Sequence, residues 1–94
     1  MLKENSKTVF YFAKEHDGED FTAQDIADAT GLSKKSVDAI VTAAFQRHRD
    51  EEKNIVPLMQ RVEAEVKDPE TGLHKRVKFI QLTDEGRAFD PEAW

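Results

Sequence analysis

The chain has 94 residues, with 19 acids against 14 lysines and arginines, so its formal net charge is −5 and its pI lies near 5.1. It has no cysteine, which excludes disulfides, thiolate chemistry and cysteine metal sites. It also lacks an apolar run of about twenty residues and a basic-then-apolar leader, so neither a membrane span nor a signal peptide is expected and a cytoplasmic location follows by default. A chain of this length makes one small domain with a modest core, which association with a second copy or another protein would help. The first predicted element is a helix over residues 5–16, capped by Asn5 or Ser6, with Val9, Phe12, Ala13 and His16 on one face. Asp17, Gly18, Glu19 and Asp20 then form a solvated turn; no nucleophile accompanies these acids, and no enzyme activity is expected.

Residues 21–46 carry the strongest local signals. Thr22 stands at an N-cap with Asp25 at the capping-box position, and Phe21 and Ile26 form a hydrophobic staple. Gly31 suits a left-handed helix exit, Leu32 and Val37 form a second staple, and Ser33 caps the next helix. Two capped helices around one glycine spell helix-turn-helix. In the second helix, Val37, Ile40, Val41, Ala44 and Phe45 make an apolar stripe, while Lys35, Ala39, Thr42, Ala43 and Gln46 face the other way with Ser36 and Asp38 on the flanks. Such a small, polar face fits a major groove, where Gln can pair with adenine and Ala or Thr can meet thymine methyls. The lysines at 34 and 35 sit beside a helix start, where phosphate contact is favourable; the upstream glycine of a phosphate loop is missing.

Two strand-like runs follow, over residues 55–67 and 73–82, separated by Asp68-Pro69-Glu70-Thr71-Gly72. Pro69 suits the start of a turn and Gly72 its left-handed close, so residues 69–72 make a four-residue hairpin loop. That loop sets Val62 opposite Phe79, Ala64 opposite Val77 and Val66 opposite Lys75. On the other side it sets Glu63 opposite Lys78 and Glu65 opposite Arg76. A slip of one residue destroys the alternation. A short helix begins at Thr83 and stops at Pro91, and Trp94 ends the chain. His16, His48 and His74 have no metal-ligand spacing and read as separate surface or boundary residues, so no metal or other cofactor is expected.

The order of elements, together with Leu58-Met59-Gln60-Arg61-Val62 before the wing and Ile80-Gln81-Leu82-Thr83-Asp84-Glu85-Gly86-Arg87-Ala88 after it, resembles winged-helix transcription regulators of the MarR and PadR type. The resemblance covers residues 21–89. It implies an α+β winged helix-turn-helix: a three-helix core, a C-terminal β-hairpin wing and a short final helix. The chain would then be one domain, with residues 1–20 as first helix and turn, 21–48 as helix-turn-helix, 55–82 as wing and 83–94 as short helix and tail. It also implies a recognition helix over residues 33–48. Two features depart from the family: a charged segment over residues 47–54, where members carry a short glycine turn, and little chain outside the core for dimerisation helices.

Double-stranded DNA is the partner this reading implies, bound as a transcription regulator binds its site. Lys35, Ser36, Ala39, Thr42, Ala43 and Gln46 are the candidate groove contacts, and Lys34, Arg47, Lys75, Arg76 and Lys78 the candidate phosphate contacts. The acidic total opposes non-specific attraction, which leaves a protein-interaction module, using an acidic surface or the tail over residues 89–94, as the competing class.

Overall fold

Local end signals place most of the helices. The computed structural model describes residues 3–92. Helix α1 spans Glu4–Glu15, α2 Ala23–Thr30 and α3 Lys34–Ile40, and α3 runs on into a wider π-helical turn over Val41–Gln46. Strands β1 (Met59–Lys67) and β2 (His74–Leu82) follow, then a short helix α4 (Asp84–Ala88). The architecture is α+β, with one antiparallel two-stranded hairpin after the main helices. No described helix is long and apolar enough to cross a membrane.

Helix α2 opens on a capping box: the Asp25 N–H donates to Thr22 Oγ1 at 3.2 Å, and the Thr22 N–H donates to Asp25 Oδ2 at 2.9 Å. Gly31 leaves the helix at φ 79°, and Ser33 Oγ accepts the Ser36 N–H at 3.1 Å to start α3. Helix α1 differs from expectation. It begins at Glu4 after Lys3, which makes no side-chain cap, so Asn5 and Ser6 lie inside the helix. Its buried face is Ser6, Val9, Phe10 and Ala13, the same spacing turned one step from the predicted face. Phe12 is left at the rim, edge-on to Phe21 and close to His16.

Phe10 is the centre of the core, with its ring 5.6 Å from that of Phe45 and 5.5 Å from that of Phe89. Val37, Val41 and Phe45 are fully buried at steps of four, while Ile40 and Ala44 only flank them. In a regular α-helix each step of four overshoots a turn by about 40°. The π-helical turn, marked by Arg47 N–H donating five residues back to Thr42 O at 3.2 Å, takes more residues per turn and cancels that drift. The predicted recognition helix therefore ends at Gln46, and residues 47–48 lie beyond it. His48 is not a surface residue: it is 7 % exposed and edge-on to Phe89 at 5.1 Å. The charged segment is a solvated turn in which Asp50 Oδ1 collects the N–H groups of Glu52 and Asn54.

The hairpin has the predicted register, with Val62 opposite Phe79 and Glu65 opposite Arg76. Gly72, at φ 74°, closes the loop as its N–H donates to Asp68 O at 2.8 Å. Residue 55 does not begin the strand; Ile55 forms an isolated bridge with Arg49, and β1 starts at Met59. Side chains alternate between faces. Met59, Ile80 and Leu82 share the face that closes the core, and all three are buried. The apolar row Val62, Ala64, Val66, Val77 and Phe79 therefore points away from the core, with Val62 and Val66 exposed.

Backbone bonds anchor the base of the hairpin: Leu58 N–H donates to Phe45 O, Ile80 N–H to Phe21 O, and Thr83 N–H to Leu58 O. Helix α4 presses directly on this junction, and Gly86 is where it touches. A Cβ at Gly86 would stand 2.0 Å from the Leu58 carbonyl oxygen. Helix α4 ends at Ala88, earlier than the expected stop at Pro91. From there the chain folds back along α1: Pro91 is buried, Tyr11 Oη donates to Glu92 Oε1 at 2.6 Å, and Lys7 pairs with Glu92 at 3.2 Å. Trp94 lies outside the described residues.

Gly86→Ala is expected to destabilise the protein by about 3 kcal/mol, since the obstructing atom is backbone and α4 must move. A denaturation midpoint near the parent's would show that α4 is not seated on Leu58. Burial pushes the His48 imidazole below its ordinary 6.5, with Asp50 pulling the other way. The unfolded chain then takes up its proton first, so the stability held above about pH 6.5 is lost as pH falls through that value. Melting temperatures from pH 7.5 down to 5.5 should show this decline, and His48→Gln should flatten it; equal slopes in both proteins would refute it.

Candidate nucleic-acid interface

The face of the hairpin that carries Met59, Ile80 and Leu82 also carries Arg61, opposite Ile80. A cation on a core-facing strand position needs acceptors, and α3 and its π-helical continuation supply them. Arg61 Nη1 donates to Asp38 Oδ1 at 3.0 Å, and Nη2 donates to the Asp38 carbonyl and to Thr42 Oγ1, each at 3.2 Å. Nε donates to Gln46 Oε1 at 3.1 Å. Lys34 takes the other Asp38 oxygen at 3.1 Å. Partial burial pushes the Asp38 carboxyl up, and the hydrogen bonds from Lys34 and Arg61 more than reverse this, holding it below 3.8.

Thr42 and Gln46, expected on the outward face, are thus tied to the hairpin and half-buried. Lys35, Ser36, Ala39 and Ala43 are exposed. Ser36 faces the α1 side, where Lys3, Ser6, Ala39 and Ala43 line a shallow groove with Ile40. Ser36 Oγ accepts from Ser33 Oγ at 2.9 Å.

Three of the five candidate phosphate residues come together. Lys34, Arg76 and Lys78 line one cleft between the helix pair and the hairpin, together with Thr22, Asp38 and Arg61. Lys75 does not join them, because the pleat sets it on the opposite hairpin face beside Val66. Arg47 is exposed beyond the last helical turn. The cross-strand register does not fix the ion pairs: Arg76 reaches diagonally to Glu63 at 3.5 Å while remaining 81 % exposed, and Glu65 meets His74 at 3.3 Å. Arg76 is therefore loosely held, since exposed pairs of this kind are worth only a few tenths of a kcal/mol.

Arg61 is the residue sequence reading passed over. Its signal was in the register: the alternation that places Met59 and Leu82 on the core face places Arg61 there too. No family model, curated protein or solved structure matches this chain.

Arg61→Met should lower stability by about 2 kcal/mol, since it strands a half-buried carboxylate and its companions. A carboxylate depressed in the folded state contributes stability that is present above its unfolded pKa and lost as pH falls below about 3.8. Acid titration of the parent should therefore show a steeper loss below about pH 4 than the variant. Parallel curves would mean that Arg61 does not engage Asp38 in solution.

Proposed function

We propose that the protein is a winged helix-turn-helix that binds double-stranded DNA and acts as a transcription regulator. The observation that carries this reading is the joint surface of helix and hairpin. The exposed Ala39 and Ala43 offer small side chains for close approach to a groove, Lys35 adds an exposed cation, and the cleft between helix and hairpin presents Lys34, Arg76 and Lys78 to a backbone. The contact lies on the helix-facing side of the hairpin, short of its tip, because the tip carries Asp68 and Glu70, which repel phosphates.

The net charge of −5 is compatible with this arrangement. Screening limits exposed charges to a range of about 8 Å at physiological salt, so a phosphate in the cleft responds to its local groups, Lys34, Arg61, Arg76 and Lys78 against Asp38 and Glu63, more than to acids across the molecule. A specific observation favours a second reading, a protein-interaction module. Val62, Val66 and Leu73 are 37 %, 41 % and 69 % exposed on and beside the outer hairpin face. The tail serves that reading poorly, since Phe89 packs on the core and Glu92 is bound to Tyr11 and Lys7.

Titration of a short random-sequence duplex at low salt, read by anisotropy, separates the two. Binding should weaken as salt rises, and Lys78→Ala should reduce the slope of log K against log salt by about one unit. Lys75→Ala, on the far face, should change it less. If no duplex is bound at low salt, the regulator reading gives way to the interaction module.

A further inference from the structure

We propose that the outer face of the hairpin docks a second copy of this chain, the two hairpins lying face to face and antiparallel, so that the tip of each meets the base of the other. Three of the five large apolar side chains exposed among the described residues, Val62, Val66 and Leu73, lie on or beside this face. A two-stranded ribbon is marginal in water unless its apolar face is covered.

Charge selects the same chain as the cover. Lys75 ends the apolar row toward the tip, opposite Val66, and has no hydrogen-bond or ion-pair partner among the described residues. At the other end of the same face, Gln81 lines a recess with Asp17, Glu19 and Asp20. The Phe21 carbonyl accepts the Ile80 N–H at 2.8 Å, which holds this acidic loop against the edge of β2. Arg87 engages Asp17 and His16 engages Glu19, while Asp20 is exposed. A two-fold axis across the strands, midway between the Val62–Phe79 and Ala64–Val77 pairs, satisfies both ends. It lays the bulkier pair of each copy over the smaller pair of the other, and β2 over β2, so that each Lys75 reaches the Gln81 and Asp20 edge of its mate. A two-fold along the strands would instead set Lys75 over Val66 and bring the acidic tips together. Nine-residue strands two abreast present roughly 30 by 10 Å, so the pair buries less than about 1,200 Å², the lower bound for a stable complex, and forms only at high concentration.

Sedimentation without DNA, from micromolar to millimolar protein, should show the mass rising from 10.7 kDa toward twice that value. Val62→Lys should abolish the rise. Lys75→Glu and Asp20→Lys should each weaken association about tenfold, since two symmetric pairs turn repulsive, and the two together should restore it. A second arm needs no variant: a carbodiimide, which joins carboxylates directly to amines, should link Lys75 to Asp20 between isotope-labelled and unlabelled chains. Within one chain the length of β2 from Lys75 to Gln81, about 20 Å, keeps the two apart. A protein that stays monomeric throughout, association unmoved by Val62→Lys, a double variant no better than the single ones, or the absence of the link between chains overturns the pairing. Each of these results leaves the DNA-binding reading standing, because no duplex is present.

Discussion

The geometry of the candidate interface depends on the Arg61 guanidinium lodged between β1 and the helix. Only the base of the hairpin is packed, through Met59, Ile80 and Leu82, and beyond it the strand residues are mostly exposed. A two-stranded ribbon anchored at one end is free to swing unless something beyond the core fixes its angle. Four hydrogen bonds from one planar, 20 % exposed side chain do so, and each closes against a different atom of Asp38, Thr42 or Gln46. The cleft that holds Lys34, Arg76 and Lys78 takes its shape from that angle.

The π-helical turn serves the same interaction. Asp38, Thr42 and Gln46 are spaced at four residues, and in a continuous α-helix the last would drift around the surface away from the hairpin. The wider turn over Val41–Gln46 keeps the three in line on the hairpin side, just as it keeps Val37, Val41 and Phe45 in line on the core side. One irregularity therefore aligns both the core row and the polar row.

Legibility in the sequence followed the range of the interactions. The capping box at Thr22, the Ser33 cap, the glycine exit and the hairpin register all rest on partners within a few residues or on alternation, and these were readable. The cap of α1 was not, because Ser6 is drawn into the buried face by packing against other elements. Alternation fixed which hairpin residues oppose one another but not which face meets the core; the buried trio Met59, Ile80 and Leu82 lies at the strand ends, where the apolar row of five is absent. His48 looked like a boundary residue because Phe89, which covers it, is 41 residues away along the chain. At the site, the exposure of Lys35, Ala39 and Ala43 followed from helical periodicity. The restraint on Thr42 and Gln46 did not, since it comes from a strand 15 to 19 residues further on.

A restrained polar side chain has a thermodynamic advantage and a cost. Immobilising a glutamine side chain on binding forfeits up to about 2 kcal/mol of rotamer freedom, and Gln46 has already lost part of that on folding. A ligand that meets Gln46 in this rotamer is bound at a smaller entropic cost. The cost is adaptability: Gln46 cannot swing its oxygen away from Arg61 Nε without leaving that donor unsatisfied in a half-buried site, and such an unmade bond costs about 1 to 3 kcal/mol. The bond that fixes the angle of the hairpin therefore also fixes the Gln46 rotamer.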